Sequence, residues 1–236
     1  MAEQETATFV LTEAQADAIL KGLQQAAGHA TLFIQTGEHN TETTVLVDNE
    51  TGECAPGEYE VYLTEGYDAL CGVKLSHRAT TSGDLSAVDA LGVPWAFTVR
   101  NNQTGGSLRS AQTDAYFNDL ERLAGHKHLE QIGLQKLVTI THIDAVKDLP
   151  ALKSLTLYYC TALENIGAIS GLPSLRSLTL GQSPNLHDLT PISSLSDLKT
   201  LWISGQTLPD ISAIAKNTAL TWLGLKSCNA LVSLEP

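Results

Sequence analysis

Leu129-x-x-Ile132-x-Leu134, Leu152-x-x-Leu155-x-Leu157, Leu175-x-x-Leu178-x-Leu180, Leu198-x-x-Leu201-x-Ile203 and Leu220-x-x-Leu223-x-Leu225 write one apolar pattern five times. The start-to-start spacings are 23, 23, 23 and 22 residues. A fixed period in the range of about 20–29 residues carrying this motif marks stacked strand-and-turn units, none of which buries its apolar edge without neighbours. The second half of the chain is therefore read as a solenoid, with parallel strands on a concave side and an extended surface suited to binding.

The remainder of each unit agrees. After the strand, apolar residues recur at every third position, as Leu163, Ile166, Ile169 and Leu172 in the second unit and Leu186, Leu189, Ile192 and Leu195 in the third. That spacing predicts short 3₁₀ turns on the convex side. The shorter fourth unit has Gln206-Thr207-Leu208 where its neighbours have Cys160-Thr161-Ala162-Leu163 and Ser183-Pro184-Asn185-Leu186, so one turn residue is removed and the apolar register is kept.

The pattern resembles the leucine-rich repeat family, in its short, internalin-like form reading L-x-x-L-x-L-x-x-N-x-I-x-D-I-x-x-L. The stretch from Leu198 to Ala219, with Leu208-Pro209-Asp210-Ile211, matches it best, and the resemblance covers residues 126–236. It implies a solenoid fold and a role in protein–protein interaction. The family's Asn at the ninth position is here Leu137, Cys160, Ser183, Gln206 and Cys228. Cys replaces Asn in cysteine-type repeats of the family, whereas a Leu side chain forms no hydrogen bond, so the first unit is expected to be degenerate.

Charge is distributed unevenly. Residues 129–236 carry 7 basic and 8 acidic side chains, and residues 1–128 carry 7 and 18, so all but one unit of the net charge of −12 lies in the first half. No Lys or Arg falls between Lys21 and Lys74, where Glu38, Glu42, Asp48, Glu50, Glu53, Glu58, Glu60, Glu65 and Asp68 stand. A field of this sign repels nucleic acid and attracts basic proteins, and also serves simply to keep a protein in solution. Glu50, Glu53, Glu58 and Glu60 are taken as the candidate acidic patch.

No apolar run approaches the roughly 18 residues of a membrane span, the N-terminus is acidic and leads into no signal-type core, and a cytoplasmic location is the default expectation. The cysteines agree. Cys160 and Cys228 share a column three rungs apart, about 14 Å at strand spacing, too far for a disulfide. Cys54 and Cys71 are expected to be reduced in such a compartment.

Residues 1–106 are read as an acidic α+β domain. Thr8–Leu11 reads as a strand, and Thr12-Glu13-Ala14-Gln15 has capping-box spacing ahead of a helix ending near Gly28. Strands follow at Thr31–Thr36, Thr43–Asp48, Glu58–Leu63, Gly72–His77 and Trp95–Arg100, separated early on by turn residues, which gives a mostly antiparallel sheet. Asn101–Gly106 reads as a linker. Residues 107–128 are read as the remaining linker and a capping helix over Thr113–Ala124, with an apolar stripe of Tyr116, Phe117, Leu120 and Leu123 closed by Gly125. Residues 129–236 are the five-repeat solenoid, the last repeat incomplete.

Alternation along each strand puts Ser154, Thr156 and Tyr158 on the concave side when Leu155 and Leu157 face the core. The equivalent sets are Gln131, Gly133 and Gln135; Ser177, Thr179 and Gly181; Thr200, Trp202 and Ser204; and Trp222, Gly224 and Lys226. Trp202 and Trp222 form a diagonal pair on adjacent strands, and Trp is enriched at interface hot spots. Trp202, Trp222, Tyr158, Thr156, Thr179, Thr200 and Lys226 are therefore the candidate partner-binding residues. Lys153, Arg176 and Lys199 form a second column suited to an acidic partner group or to solvation.

Signs of catalysis are thin. His126, His128 and His142 lack the Cys, Asp or Glu spacing that completes a metal site. Asp48–Glu53 has the acids of a calcium loop but not its glycine position or its twelfth-place acid, which is Tyr59. Phosphate-loop, dinucleotide and nucleophile-elbow motifs are missing. The first expectation is a non-enzymatic interaction protein, without metal or cofactor, that grips a protein by its concave face. A sharper form is an inhibitor or immunity-type protein whose acidic half meets a basic partner. The alternatives are an enzyme with its site in residues 1–110 around Glu58, Glu60 or His77, and an assembly protein that associates through the uncapped last repeat.

Overall fold

The computed structural model describes residues 6–10, 12–23, 28–36, 39–46, 58–62, 69–77, 85–100, 120–205, 211–228 and 231. The chain divides into two compact units, Met1–Phe97 and Thr98–Pro236. The division falls inside a strand, ahead of Asn101–Gly106, the stretch read as a linker, which lies outside the described residues.

In the first unit, strand β1 (Thr6–Val10) is followed by helix α1 (Glu13–Leu23). The Thr12 hydroxyl accepts from the Gln15 N–H at 3.2 Å while Gln15 Oε1 accepts from the Thr12 N–H at 3.0 Å. These reciprocal bonds satisfy two of the amides that every helix start leaves unpaired. Ala18 and Ile19 are buried, and a Cβ at Gly22 would lie 2.7 Å from Leu75 and 2.9 Å from Val88. The missing side chain is what lets α1 approach its neighbours so closely.

Strand β2 (Gly28–Thr36) pairs antiparallel with β3 (His39–Leu46) and β5 (Ala69–His77), with an irregularity at Phe33/Ile34, and β4 (Glu58–Tyr62) pairs antiparallel with β1. A short helix α2 (Leu85–Asp89) buries Leu85 and Val88, an element too brief to leave a periodic signal. Strand β6 (Trp95–Arg100) follows. The Trp95 indole N–H donates to Asp89 Oδ1 at 2.9 Å, so a buried aromatic keeps its one polar group satisfied.

After the end of β6 the second unit continues, among the described residues, with a 3₁₀ turn at Leu120–Leu123 followed by Gly125 at φ +75°. The predicted capping helix thus ends as a 3₁₀ turn that buries Leu120 and Leu123, and its earlier part lies outside the described residues. Strands β7 (Leu129–Gln135), β8 (Ser154–Tyr158), β9 (Ser177–Gly181), β10 (Thr200–Ser204) and β11 (Trp222–Lys226) then pair in sequence order, all parallel. The convex side holds 3₁₀ turns at Asp144–Val146, Gly167–Gly171, Thr190–Ser194 and Ser212–Lys216, as the three-residue apolar spacing predicts. Leu155, Leu178 and Leu201 are completely buried, as are Leu163, Ile169, Leu186 and Ile192 behind them.

One backbone device recurs in every rung. The eighth residue of each motif, Lys136, Tyr159, Gln182, Gly205 and Ser227, has φ of 60°, 58°, 55°, 63° and 55°. This left-handed corner turns the chain away from the sheet while its N–H still donates to the next rung. Lys136 donates to the Tyr158 carbonyl at 2.7 Å, Tyr159 to Gly181 at 2.8 Å, Gln182 to Ser204 at 2.8 Å and Gly205 to Lys226 at 2.9 Å. Four of the five corners carry a side chain in a region that costs most residues roughly 1–2 kcal/mol.

The ninth position behaves unevenly. Leu137 is simply buried, the Cys160 thiol approaches the Leu134 carbonyl at 3.7 Å, the Ser183 hydroxyl donates to the Gly181 carbonyl at 3.4 Å, and the Cys228 thiol lies 3.8 Å from the Ile203 carbonyl. Cys160 and Cys228 are free thiols. In the column of Leu149, Leu172 and Leu195 the fourth unit has Asn217, whose Nδ2 donates to the carbonyls of Ile192 at 2.9 Å and Leu195 at 2.8 Å, while its buried Oδ1 has no hydrogen-bond partner. Among the described residues no helix is long and apolar enough to cross a membrane.

Burial pushes the Cys160 thiol up to about 11, against the smaller opposing effect of the Leu137 and Tyr158 backbone. The native state therefore keeps a proton that the unfolded chain releases above roughly pH 8.5. Stability contributed by the neutral thiol is present below that pH and is lost as pH rises towards about 11. Denaturant titrations of the native chain should show this alkaline loss, and Cys160→Ala should flatten it. A second outcome is expected at the corners, where Gly205→Ala should lower stability by about 1 kcal/mol and Ser227→Gly should not lower it.

Candidate functional site

The register lays the concave residues out in three rows across the strands. Gln131, Ser154, Ser177, Thr200 and Trp222 form the first; Gly133, Thr156, Thr179, Trp202 and Gly224 the second; Gln135, Tyr158, Gly181, Ser204 and Lys226 the third. Alternation with the buried leucines turns these side chains away from the core; Thr156, Thr179 and Thr200 are half-buried between their neighbours along each row, and Ser204 is buried.

Glycines shape this floor. A Cβ at Gly224 would collide with both Trp202 and Trp222, and one at Gly181 would collide with the Tyr158 ring. The aromatic side chains lie flat over bare backbone in the next rung. The Trp202 and Trp222 rings stack with centroids 5.6 Å apart and planes 11° from parallel. Trp222 is 47% exposed, so the stack presents a broad apolar face towards solvent. Tyr158 packs edge-on against Tyr159 at 4.7 Å, and Lys226 is exposed at the end of β11. At the opposite end of the second row, a Cβ at Gly133 would lie 3.2 Å from Thr98.

The structure thus brings Trp202, Trp222, Thr156, Thr179, Thr200, Tyr158 and Lys226 onto one face. The basic column sits beside it, just before each strand, with Lys153, Arg176 and Lys199 joined by backbone bonds of 2.9 Å. Lys153 is ion-paired with Glu130 one rung earlier, so the column begins on an acid and its first charge is neutralised. Glu58 and Glu60 stand on β4 opposite Val10 and Thr8, and His77 ends β5 opposite Gly28; Glu50 and Glu53 lie outside the described residues.

The histidines are dispersed. The His126 Nε2–H donates to the Arg122 carbonyl at 2.8 Å in a buried position, and His142 Nδ1 lies 3.3 Å from Asp144 Oδ2. Among the described residues no group of three His, Cys, Asp or Glu could hold a metal ion. His142 and Asp144 line a cleft of about 290 Å³ with Glu121, Thr139 and Thr141 over Leu120, Ile140 and Ala145. Sequence reasoning missed this cleft, because its two walls are remote in the chain. It also missed Gly181 and Gly224, whose purpose shows only when the aromatic residue one rung away is known.

The tryptophan stack depends on Gly224 having no side chain. Two indoles this close give coupled transitions, visible as a paired band in far-ultraviolet circular dichroism. Gly224→Val should abolish that band and expose both rings to quencher, with the 3₁₀ turns of earlier rungs intact; Trp222→Phe should remove the coupling alone.

No family model matches the chain, and no curated protein sequence does. Solved structures that match include an internalin (inlF) from Listeria monocytogenes str. 4b F2365, with 20% sequence identity and a TM-score of 0.50. The match covers 67% of this chain and 45% of that one, so the chain spans less than half the length of the structure it resembles. The likeness is one of fold. Together with the parallel ladder, the convex 3₁₀ turns and the repeated motif, it makes the second unit a leucine-rich-repeat solenoid similar to that of an internalin.

Proposed function

We propose that this chain is a non-catalytic protein-binding module that holds a protein partner on the concave face of its solenoid, with Trp202 and Trp222 as the anchor. The observation that carries this reading is the stack itself, a large, rigid apolar surface lying open on a floor of otherwise small polar side chains. Burying an exposed indole contributes on the order of 2–3 kcal/mol, and rigid aromatic side chains lose little conformational entropy on binding. Thr156, Thr179 and Thr200 add hydroxyls that donate or accept, and Tyr158 and Lys226 complete the rim. The solenoid fold supports the reading, since stacked repeats form extended concave surfaces of this kind.

In the same proposal, residues 1–106 are an acidic α+β domain that draws in a partner of opposite charge, with Glu50, Glu53, Glu58 and Glu60 as its patch. The charge of the first half supports this part. Affinity capture on the immobilised full chain, followed by mass spectrometry, tests the reading. Proteins retained by the native chain should be lost or weakened by about tenfold or more with Trp202→Ala and with Trp222→Ala. Capture unchanged in both variants would remove the concave face from the account. For a captured partner, the association rate should fall steeply with added salt; a rate indifferent to salt would leave the acidic half without a part in binding.

A further inference from the structure

The margin of the concave face carries two positive charges that the solenoid leaves unpaired. Glu130, Lys153, Arg176, Lys199 and Thr221 stand on consecutive rungs, each N–H donating to the carbonyl of the residue before it in the column, at 2.7 Å from Lys153 to Glu130 and 2.9 Å at every later step. Glu130 and Lys153 neutralise one another as an ion pair. Arg176 and Lys199 are exposed, and among the described residues neither is paired with an acid, not even with Asp197, two places before Lys199. We propose that Arg176 and Lys199 are the acid-reading part of the concave face, holding a segment of a protein partner that carries two neighbouring carboxylates. This rests on the concave-face function and names the chemistry that the partner presents at this margin.

Neighbouring strands lie about 4.8 Å apart, and like charges set opposite one another at that spacing destabilise a sheet. Arg176 and Lys199 bear that cost in the free chain. Carboxylates bound across them remove it, so the pair gains more from an acidic ligand than a solitary surface lysine would. The column also shows the contact in use. Glu130 already sets a carboxylate on Lys153 from the adjoining rung, which demonstrates that an acid at this margin reaches a cation of the column. The Arg176 guanidinium suits the same task, since its planar fork matches the two oxygens of a carboxylate.

Hydroxyls complete the site. Ser177 and Thr200 follow the two cations in the first concave row, half-buried, and neither side chain makes a hydrogen bond among the described residues. Each can donate to the carboxylate oxygen that an ion pair leaves over. The column limits the site to two rungs, because Lys153 is already neutralised on one side and the Thr221 hydroxyl on the other donates to the Lys199 carbonyl at 3.1 Å. Residues 129–236 carry 7 basic and 8 acidic side chains, so the solenoid as a whole does not repel an acidic segment strongly. A partner drawn in by the acidic first half can be basic overall and still present this acid. The field of a whole domain governs encounter, whereas close charge pairs fix register.

Fluorescence anisotropy of a labelled hexaglutamate peptide, titrated with the full chain at about 0.15 M salt, reads the site directly; charges more than about 8 Å away are then largely screened. Arg176→Glu combined with Lys199→Glu should weaken binding by about tenfold or more. Lys147→Glu combined with Lys216→Glu places the same change of charge on the convex turns and should weaken it by less than about twofold. Glu130→Gln releases Lys153 and should tighten it. Trp202→Ala and Trp222→Ala should leave hexaglutamate binding as it is while they lower partner capture, so a failure of the aromatic anchor and a failure of the acid-reading pair give different results. Capture of a protein retained by the native chain should also fall by about tenfold with the Arg176 and Lys199 reversal. Hexaglutamate that does not bind the native chain, or that binds the reversed chain equally well, overturns the proposal. So does partner capture indifferent to the reversal, or a singly serine-phosphorylated, otherwise neutral peptide that binds more tightly than hexaglutamate, which would give the site to phosphate.

Discussion

No rung of this solenoid can bury its own leucines. A single strand and its following turn form one thin layer, and only the layers above and below remove its apolar side chains from water. Leu178 and Leu223 show the size of the effect, since both hold the same place in the same motif and one is 0% and the other 39% exposed. The repeat period, the parallel register and the turning of polar residues outwards all follow from that requirement. Because every interior position is committed to stacking, the concave face carries only side chains that the core does not use.

The left-handed corner is what allows the stacking to continue. Each strand must leave the sheet within a few residues and still supply a donor to the next rung, and the eighth residue does both at once. The conformational cost falls on Lys136, Tyr159, Gln182 and Ser227, which lack the freedom of glycine. At Lys136, Tyr159 and Gln182 it is offset by the hydrogen bond each makes to the following strand and by the burial that the turn permits. Tyr159 gains further, since its ring packs edge-on against Tyr158 and continues the aromatic margin of the concave face.

Much of this was legible in the chain because it rests on periodicity. The motif placed the strands and the period of two placed their faces, so the diagonal pairing of Trp202 and Trp222 followed from register alone. The Thr12–Gln15 capping box was legible for a similar reason, as a local bond pattern with fixed spacing. The unread features depend on contacts remote in sequence. Gly224 gains its meaning from Trp202, 22 residues earlier, and nothing about glycine itself announces a platform. The corner at Tyr159 is imposed by the rungs on either side, against the residue's own preference. Leu120–Leu123 carries an apolar stripe that fits an α-helix equally well, and the tighter 3₁₀ turn wins where two leucines must reach the core within four residues. Asn217 stands in a column of leucines, and only the structure shows its amide capping the two carbonyls of the rung below.

Trp222 shows how missing side chains build the concave anchor. Its ring stacks on Trp202 one rung earlier, and both rings take the space that a side chain at Gly224 would fill. Tyr158 lies against Gly181 in the same way, so a large aromatic side chain covers the floor where the next rung gives up a side chain beneath it. The face that a partner meets is therefore set by two rungs at once. A change at Gly224 or Gly181 acts on an aromatic residue 22 or 23 positions earlier in the chain, although neither glycine makes a polar contact of its own on that face.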